Sequence, residues 1–306
     1  MWMVFALLLP YSLKTEMVEI RHDNFIIIYD SKDERSAKFL WKTLQKVNPS
    51  LEEFFHLKLQ QRIVIHWLAH QMDFQKIIPT HLPDWVQGLY LPQQKKIVLR
   101  RTVGMNPSDD LSQVLTHELS HLYLHQLLGD IPIPTWFNEG LAEYLSGQKI
   151  NVSEGVMLAN AIFSGQWIEL EAIDSLYSFS HHYAQLAYIE SYTAVRFLEK
   201  YIQIKGLNWN NFFDIIRAFG FKKALTEVSG MDGIDFEIKW YRELKEKYQW
   251  FLIFNWENII WIILVLILIG AMYAIRYRNR KILLEWDKEE MMEEEPQDVY
   301  HLSDKN

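Results

Sequence analysis

Residues 117–121 read His117-Glu118-Leu119-Ser120-His121, and residues 135–143 read Thr135-Trp136-Phe137-Asn138-Glu139-Gly140-Leu141-Ala142-Glu143. The first stretch lies in a run with helix signals at both ends. Asn106 offers an N-cap, Pro107 suits the first helical position, Asp109 and Asp110 favour the positive end, and Gly129 follows Leu128 as a stop. Helix residues four apart share a face, so the imidazoles of His117 and His121 can converge on one metal ion. A short Pro-containing turn follows, and Thr135 can cap a second helix over residues 136–146, closed by Gly147. A connection of that length joins packed antiparallel helices, so Glu139 can supply a third donor. Three protein ligands and a water are what a catalytic zinc takes. Glu118, beside the first histidine, points to the open side, where a carboxylate can take the proton of that water and pass it to a leaving amine. Two neutral nitrogens and one carboxylate make zinc, one ion per chain, the default occupant, although other divalent ions suit the same donors.

Neighbouring candidates follow from the same geometry. Glu143 lies one turn beyond Glu139, either orienting a ligand histidine or standing as a surface carboxylate. His125 continues the row of His117 and His121 but lies about 12 Å along the axis from His117, too far for all three to share an ion. It reads as a packing or surface residue. His181 and His182 precede a later helix, as cleft lining or as a solvated helix start.

Working outward, the preceding residues alternate strand and helix signals. Residues 25–29 and 62–68 are β-rich, 33–47 carry apolar residues at helical spacing, and 74–78 begin a short helical piece that Pro79 ends. Residues 86–91 and Lys96, Ile97, Val98, Leu99 and Arg100 flank a polar turn and read as a β-hairpin. After the motif, residues 183–200 and 209–247 are helical and amphipathic. The expected fold is α+β: a small mixed sheet with a hairpin edge strand, then a mainly helical subdomain, with the zinc cleft between them.

The two motifs together resemble the gluzincins, in particular the bacterial peptidase MA-like domains related to thermolysin and the zinc aminopeptidases. The likeness extends more loosely over residues 25–248, including Gly88-Leu89-Tyr90 in the hairpin. It implies His117, His121 and Glu139 as zinc ligands and Glu118 as general base. It also implies that the strand Lys96, Ile97, Val98, Leu99, Arg100 borders the cleft, where an extended substrate adds as a further strand. Residues 187–192 look like the helix that brings an oxyanion-stabilising tyrosine to the cleft, and Tyr188 is preferred to Tyr192. Ordinary helix packing of both tyrosines is the competing reading. No separate signature anchors a substrate amino terminus, so a zinc endopeptidase is expected rather than an aminopeptidase. A catalytically inactive, membrane-tethered binding or scaffold protein on the same fold is the alternative.

Composition bounds the rest. Of the 306 residues 49% are apolar, ample for a core. The net charge of -8 is uneven: residues 282–306 carry nine acidic and two basic side chains (-7), while Arg276, Arg278, Arg280 and Lys281 add +4, leaving -5 for residues 1–275. No global basic field points to nucleic acid. There is no cysteine, which excludes disulfides, thiolate metal sites and a cysteine nucleophile. Residues 259–275 carry no charge and read as a transmembrane helix, flanked by Trp250, Trp256 and Trp261 on one side and the Arg/Lys cluster on the other. By the positive-inside rule the C-terminus is cytoplasmic and the catalytic domain extracytoplasmic in a single-pass cell-membrane protein. The expected division is a possible signal peptide over 1–15, a metallopeptidase domain over 16–248, a membrane helix over 257–275, and a basic segment with a solvated acidic tail over 276–306. The partners implied are a peptide or protein substrate and the membrane; the sequence does not fix an oligomeric state.

Overall fold

The computed structural model describes residues 16–68, 77–78, 82–101, 109–254 and 256–293. The expected signal segment, the helical start at residues 74–76, the cap at Asn106 and Pro107, and residues 294–306 of the tail lie outside them. The chain divides into two units, Met1–Gln249 and Trp250–Asn306.

Among the described residues of the first unit five strands form one mixed sheet: β1 (Met17–His22), β2 (Phe25–Asp30), β3 (Ile63–Leu68), β4 (Gly88–Leu91) and β5 (Lys96–Arg100), in the order β1-β2-β3-β5-β4. The strands β2, β3 and β5 run parallel, and β1 and β4 close the two ends antiparallel. Helix α1 (Glu34–Phe55) makes the crossover from β2 to β3. It runs two turns past the expected residue 47, through Pro49, and stops at His56 in the left-handed region. Period-2 alternation sends Ile27, Ile63, Ile65, Ile97 and Leu99 into a fully buried face with Leu40 of α1. The opposite face carries a smaller cluster of Leu68, Ile78, Leu82, Val86 and Val98, against which Trp85 and Leu89 pack.

The hairpin forms as the sequence indicates, with Lys95 at φ 51° ending its turn. Its second strand, however, does not take the place expected of it. Lys96–Arg100 does not border the cleft as an edge strand; it is held on both sides, parallel to β3 and antiparallel to β4. The free edge belongs to Gly88–Leu91, because β3 claims β5 by a long-range pairing that the hairpin pattern does not encode.

The helical half begins with α2 (Asp109–Leu128), whose Leu115, Leu119, Leu122 and Tyr123 are fully buried, and which ends at Gly129 with φ 62°. Tyr123 stacks on Phe55, which stacks on Phe213, and its hydroxyl donates to Asn48 Oδ1 at 2.8 Å, tying α2 to α1. Helix α3 (Thr135–Leu145) follows. Thr135 is its first residue rather than its cap: Pro134 holds the cap position and the Thr135 N–H donates to Asp174. Then come α4 (Val152–Ser164), opened by a capping box at Asn151 and Glu154, a 3₁₀ segment (Leu170–Ser178) and the long α5 (His181–Ile204). Helices α3 and α5 approach so closely at Gly140 that a β-carbon there would sit 2.2 Å from the Ser191 carbonyl oxygen. The expected helical run 209–247 is three helices, α6 (Trp209–Phe219), α7 (Phe221–Ser229) and α8 (Gly233–Tyr248), broken at Gly220 and Gly230, both at positive φ.

In the second unit α9 spans Trp256–Glu293, and within it Ile259–Glu290 is long and apolar enough to cross a membrane. Its apolar side chains from Ile260 to Ile275 are exposed. The helix does not end with the apolar run at residue 275 but carries Arg276, Arg278, Arg280 and Lys281 on further helical turns.

Candidate metal centre

Three donor side chains from two helices meet in the cleft. The donor atoms of His117, His121 and Glu139 all lie within 4.8 Å of one another. His117 Nε2 stands 3.2 Å and His121 Nε2 3.6 Å from Glu139 Oε2. Ligands about 2.0 Å from a tetrahedral zinc are roughly 3.3 Å apart, so the three converge as a divalent ion requires. The remaining ring nitrogens are also taken up. His117 Nδ1 lies 3.3 Å from Glu143 Oε1, and His121 Nδ1 lies 2.9 Å from Asn138 Oδ1. Each ring thus has a partner fixing its orientation and directing Nε2 at the common centre.

The charges suit a cation. Burial pushes the Glu139 carboxyl up, but the imidazoles of His121 and His117 outweigh it and hold Glu139 below its ordinary value. Burial works against protonation of His117, yet hydrogen bonds to Glu139 and Glu143 raise it well above the usual histidine range; Glu139 raises His121 in the same way. Two carboxylates and two imidazoles share a buried space that favours positive charge, which protons or a metal ion can supply.

Glu118 is 6% exposed and points across the cleft to the sheet edge. Gln87 O accepts from Arg100 N–H, so ladder alternation turns the Gly88 and Tyr90 backbone groups away from β5. The Tyr90 N–H donates to the Glu118 carboxylate, and Gly88 leaves room for it. Burial raises the Glu118 pKa against the pull of His117 and His121. That is the direction a group trading protons near neutrality needs.

Tyr188 on α5 packs its ring edge-on to His117, with centroids 5.9 Å apart, and lines the cleft with Glu118; Tyr192 does not line it. Burial, with Glu139 and Tyr177 nearby, raises the Tyr188 phenol well above its usual value, so it keeps its proton. His125 stays apart from the donor group and faces the Tyr90 hydroxyl at 3.4 Å. His181 and His182 are the first two residues of α5 rather than preceding it, and His181 lines the cleft.

Three cleft residues had no role assigned from the sequence. Asn138 sits within the quoted motif, and its position beside Glu139 was the signal. Trp85 comes from the loop before β4 and Tyr177 from the 3₁₀ segment: Trp85 stacks on Tyr177 and lies edge-on to Tyr188, with centroids 6.3 and 6.2 Å apart. Its Nε1 donates to the Phe179 carbonyl, joining the loop before β4 to the 3₁₀ segment of the helical half.

Two imidazoles and a carboxylate within reach of one cation, on a helix pair bordered by the edge of a mixed sheet, define a metallopeptidase-like protein. The chain belongs to the peptidase MA superfamily, whose family model matches residues 48–246. Among solved structures it is similar to an aminopeptidase N family protein from Idiomarina loihiensis, at 13% identity and a TM-score of 0.43, over 76% of this chain and 46% of that one. No curated protein sequence matches the chain.

Proposed function

We propose that this protein is a membrane-anchored zinc endopeptidase, with His117, His121 and Glu139 holding the ion. The convergence of their donor atoms on one point, each histidine oriented from behind, carries the reading. A zinc ion held there supplies Lewis acidity, which acidifies a water and polarises a carbonyl. Glu118 takes the proton of the attacking water and delivers it to the leaving nitrogen, aided by a pKa that burial has raised. Tyr188, kept neutral, donates its phenolic hydrogen to the oxygen on which charge develops. The substrate lies extended along β4, not β5, where the outward backbone groups of Gly88 are the unclaimed rungs beside Glu118.

The apolar helix anchors the domain, with Arg276, Arg278, Arg280 and Lys281 on the cytoplasmic side and the cleft on the other. Glu118→Gln tests the mechanism: zinc content should stay near one per chain while peptide hydrolysis falls by about three orders of magnitude or more. Unchanged hydrolysis by that variant would remove Glu118 from the reaction.

A further inference from the structure

The cleft has two chambers lined by different side chains, which meet at Val86, Gly88, His117, Glu118 and Tyr188. The larger, about 610 Å³, contains the candidate donors His117, His121 and Glu139, with Leu89, Leu124, Leu128 and Ile133 as well as Gln93 and Asp130 along its walls. The smaller, about 260 Å³, is bordered by four carboxamides, those of Gln87, Gln113, Gln148 and Gln185. Among the described residues neither chamber is lined by a lysine or arginine.

We propose that the smaller chamber is a subsite for a neutral, hydrogen-bonding side chain of the substrate, of the Asn, Gln, Ser or Thr type. The inference rests on the peptidase reading above and names what that site takes. A carboxamide offers both donors and an acceptor, so four of them complement a guest that also donates and accepts. Gln148 is fixed in place: its Nε2 donates to Glu154 Oε1 at 2.9 Å, and Glu154 Oε2 accepts from the Asn151 N–H at 2.9 Å. That leaves its carbonyl end for a guest.

The other classes of side chain fare worse. An anionic one meets the carboxylates of Glu118 and Glu143, while the imidazole of His117 beside them is already engaged with Glu139 and Glu143. A cationic one finds those two carboxylates already engaged, Glu143 with His117 at 3.3 Å and Glu118 with the Tyr90 N–H. An apolar one strips water from the carboxamides and returns no hydrogen bond. The larger chamber then receives the residue on the other side of the scissile bond.

The test is cleavage of a mixed peptide library by the full chain in detergent micelles, loaded with zinc, with products sequenced by mass spectrometry. Asn, Gln, Ser and Thr should be enriched at one position flanking the cut, with Asp and Glu depleted there. The double variant Gln113→Glu/Gln185→Glu, altering two exposed side chains, should move that position towards Lys and Arg. The shift should be about fivefold, the size of one partly exposed ion pair. Preference on the other side of the cut should not move. A wild-type preference for charged or apolar residues there, or a profile the variant leaves unmoved, overturns the proposal. If the wild type cleaves nothing, the peptidase reading fails by itself. The same library is then captured on the zinc-loaded Glu118→Gln chain: enrichment of neutral polar residues among bound peptides supports the subsite, and its absence rejects it.

Discussion

Glu118 lies against the α-carbon of Gly88: a β-carbon built at that glycine would fall 2.6 Å from Oε1 of the carboxylate and 2.8 Å from its Cγ. The glycine is therefore a spatial requirement of the site, since its backbone and the Tyr90 N–H form the floor on which the proposed base rests. Gly88→Ala should push Glu118 out of line while leaving the three metal donors on α2 and α3 untouched. A displacement of about 1 Å costs on the order of 100-fold in turnover. Peptide hydrolysis should fall by about that factor with zinc content preserved, and a variant of wild-type activity would show that Glu118 adapts or does not act from this position.

Asn138 and Glu143 hold the two histidines from behind, at 2.9 and 3.3 Å from their Nδ1 atoms. Removing such a partner loosens the ring and typically lowers metal affinity about 10- to 100-fold. Asn138→Ala and Glu143→Ala should each weaken zinc binding to that extent, measured by competition with a chromophoric chelator. Asn138→Asp, which keeps an acceptor, should recover most of the loss. Equal affinity in all three variants would reduce these contacts to packing.

What could be read in advance and what could not divides along physical lines. The two-helix motif was legible because helical periodicity, a stop glycine and the i,i+4 spacing of His117 and His121 are local, and local geometry alone puts both rings on one face. The apolar run after Trp256 was legible for the same reason. Strand order was not. Both arms of the hairpin carry similar apolar runs, and only the pairing of β5 with β3, more than 25 residues earlier, decides that Gly88 rather than Lys96 stands at the free edge. The strand β1 escaped because as an outer strand it buries none of its side chains and shows no alternation. Trp85 lies in a loop and Tyr177 in a short 3₁₀ segment kinked at Ser175, neither with a sustained period to read, although their rings meet across the cleft.

Glu190 is fully buried on α5 and accepts from the Ile168 N–H at 3.1 Å, fixing the chain that leads into the 3₁₀ segment and Tyr177. Burial raises its pKa well above the ordinary carboxyl value; the Ile168 hydrogen bond opposes this and Glu237 adds to it. The native state therefore keeps a proton that the unfolded chain has released, and stability falls as pH rises from the unfolded value through the native one. Glu190→Gln retains an acceptor without the charge. Its melting temperature should match the wild type at about pH 4 and exceed it at about pH 8, above the ordinary carboxyl range. A difference that is constant across this range would mean that Glu190 does not change its charge on folding.

Zinc and protons compete for the same nitrogens. In the metal-free site Glu139 and Glu143 raise His117, and Glu139 raises His121, so both rings hold protons at a pH where free histidine has begun to lose them. An ion can bind only as those protons leave. Because the pKa values are raised, affinity should be weak at low pH and climb as pH rises through the histidine range and beyond. Calorimetry in buffers of different ionisation enthalpy should find one to two protons released per zinc near neutrality. Glu139→Ala removes both the third donor and the carboxylate that keeps the rings protonated, so zinc should bind more weakly while the proton count drops. Tight binding by the wild type with no proton release would mean that the ion sits elsewhere than between His117, His121 and Glu139.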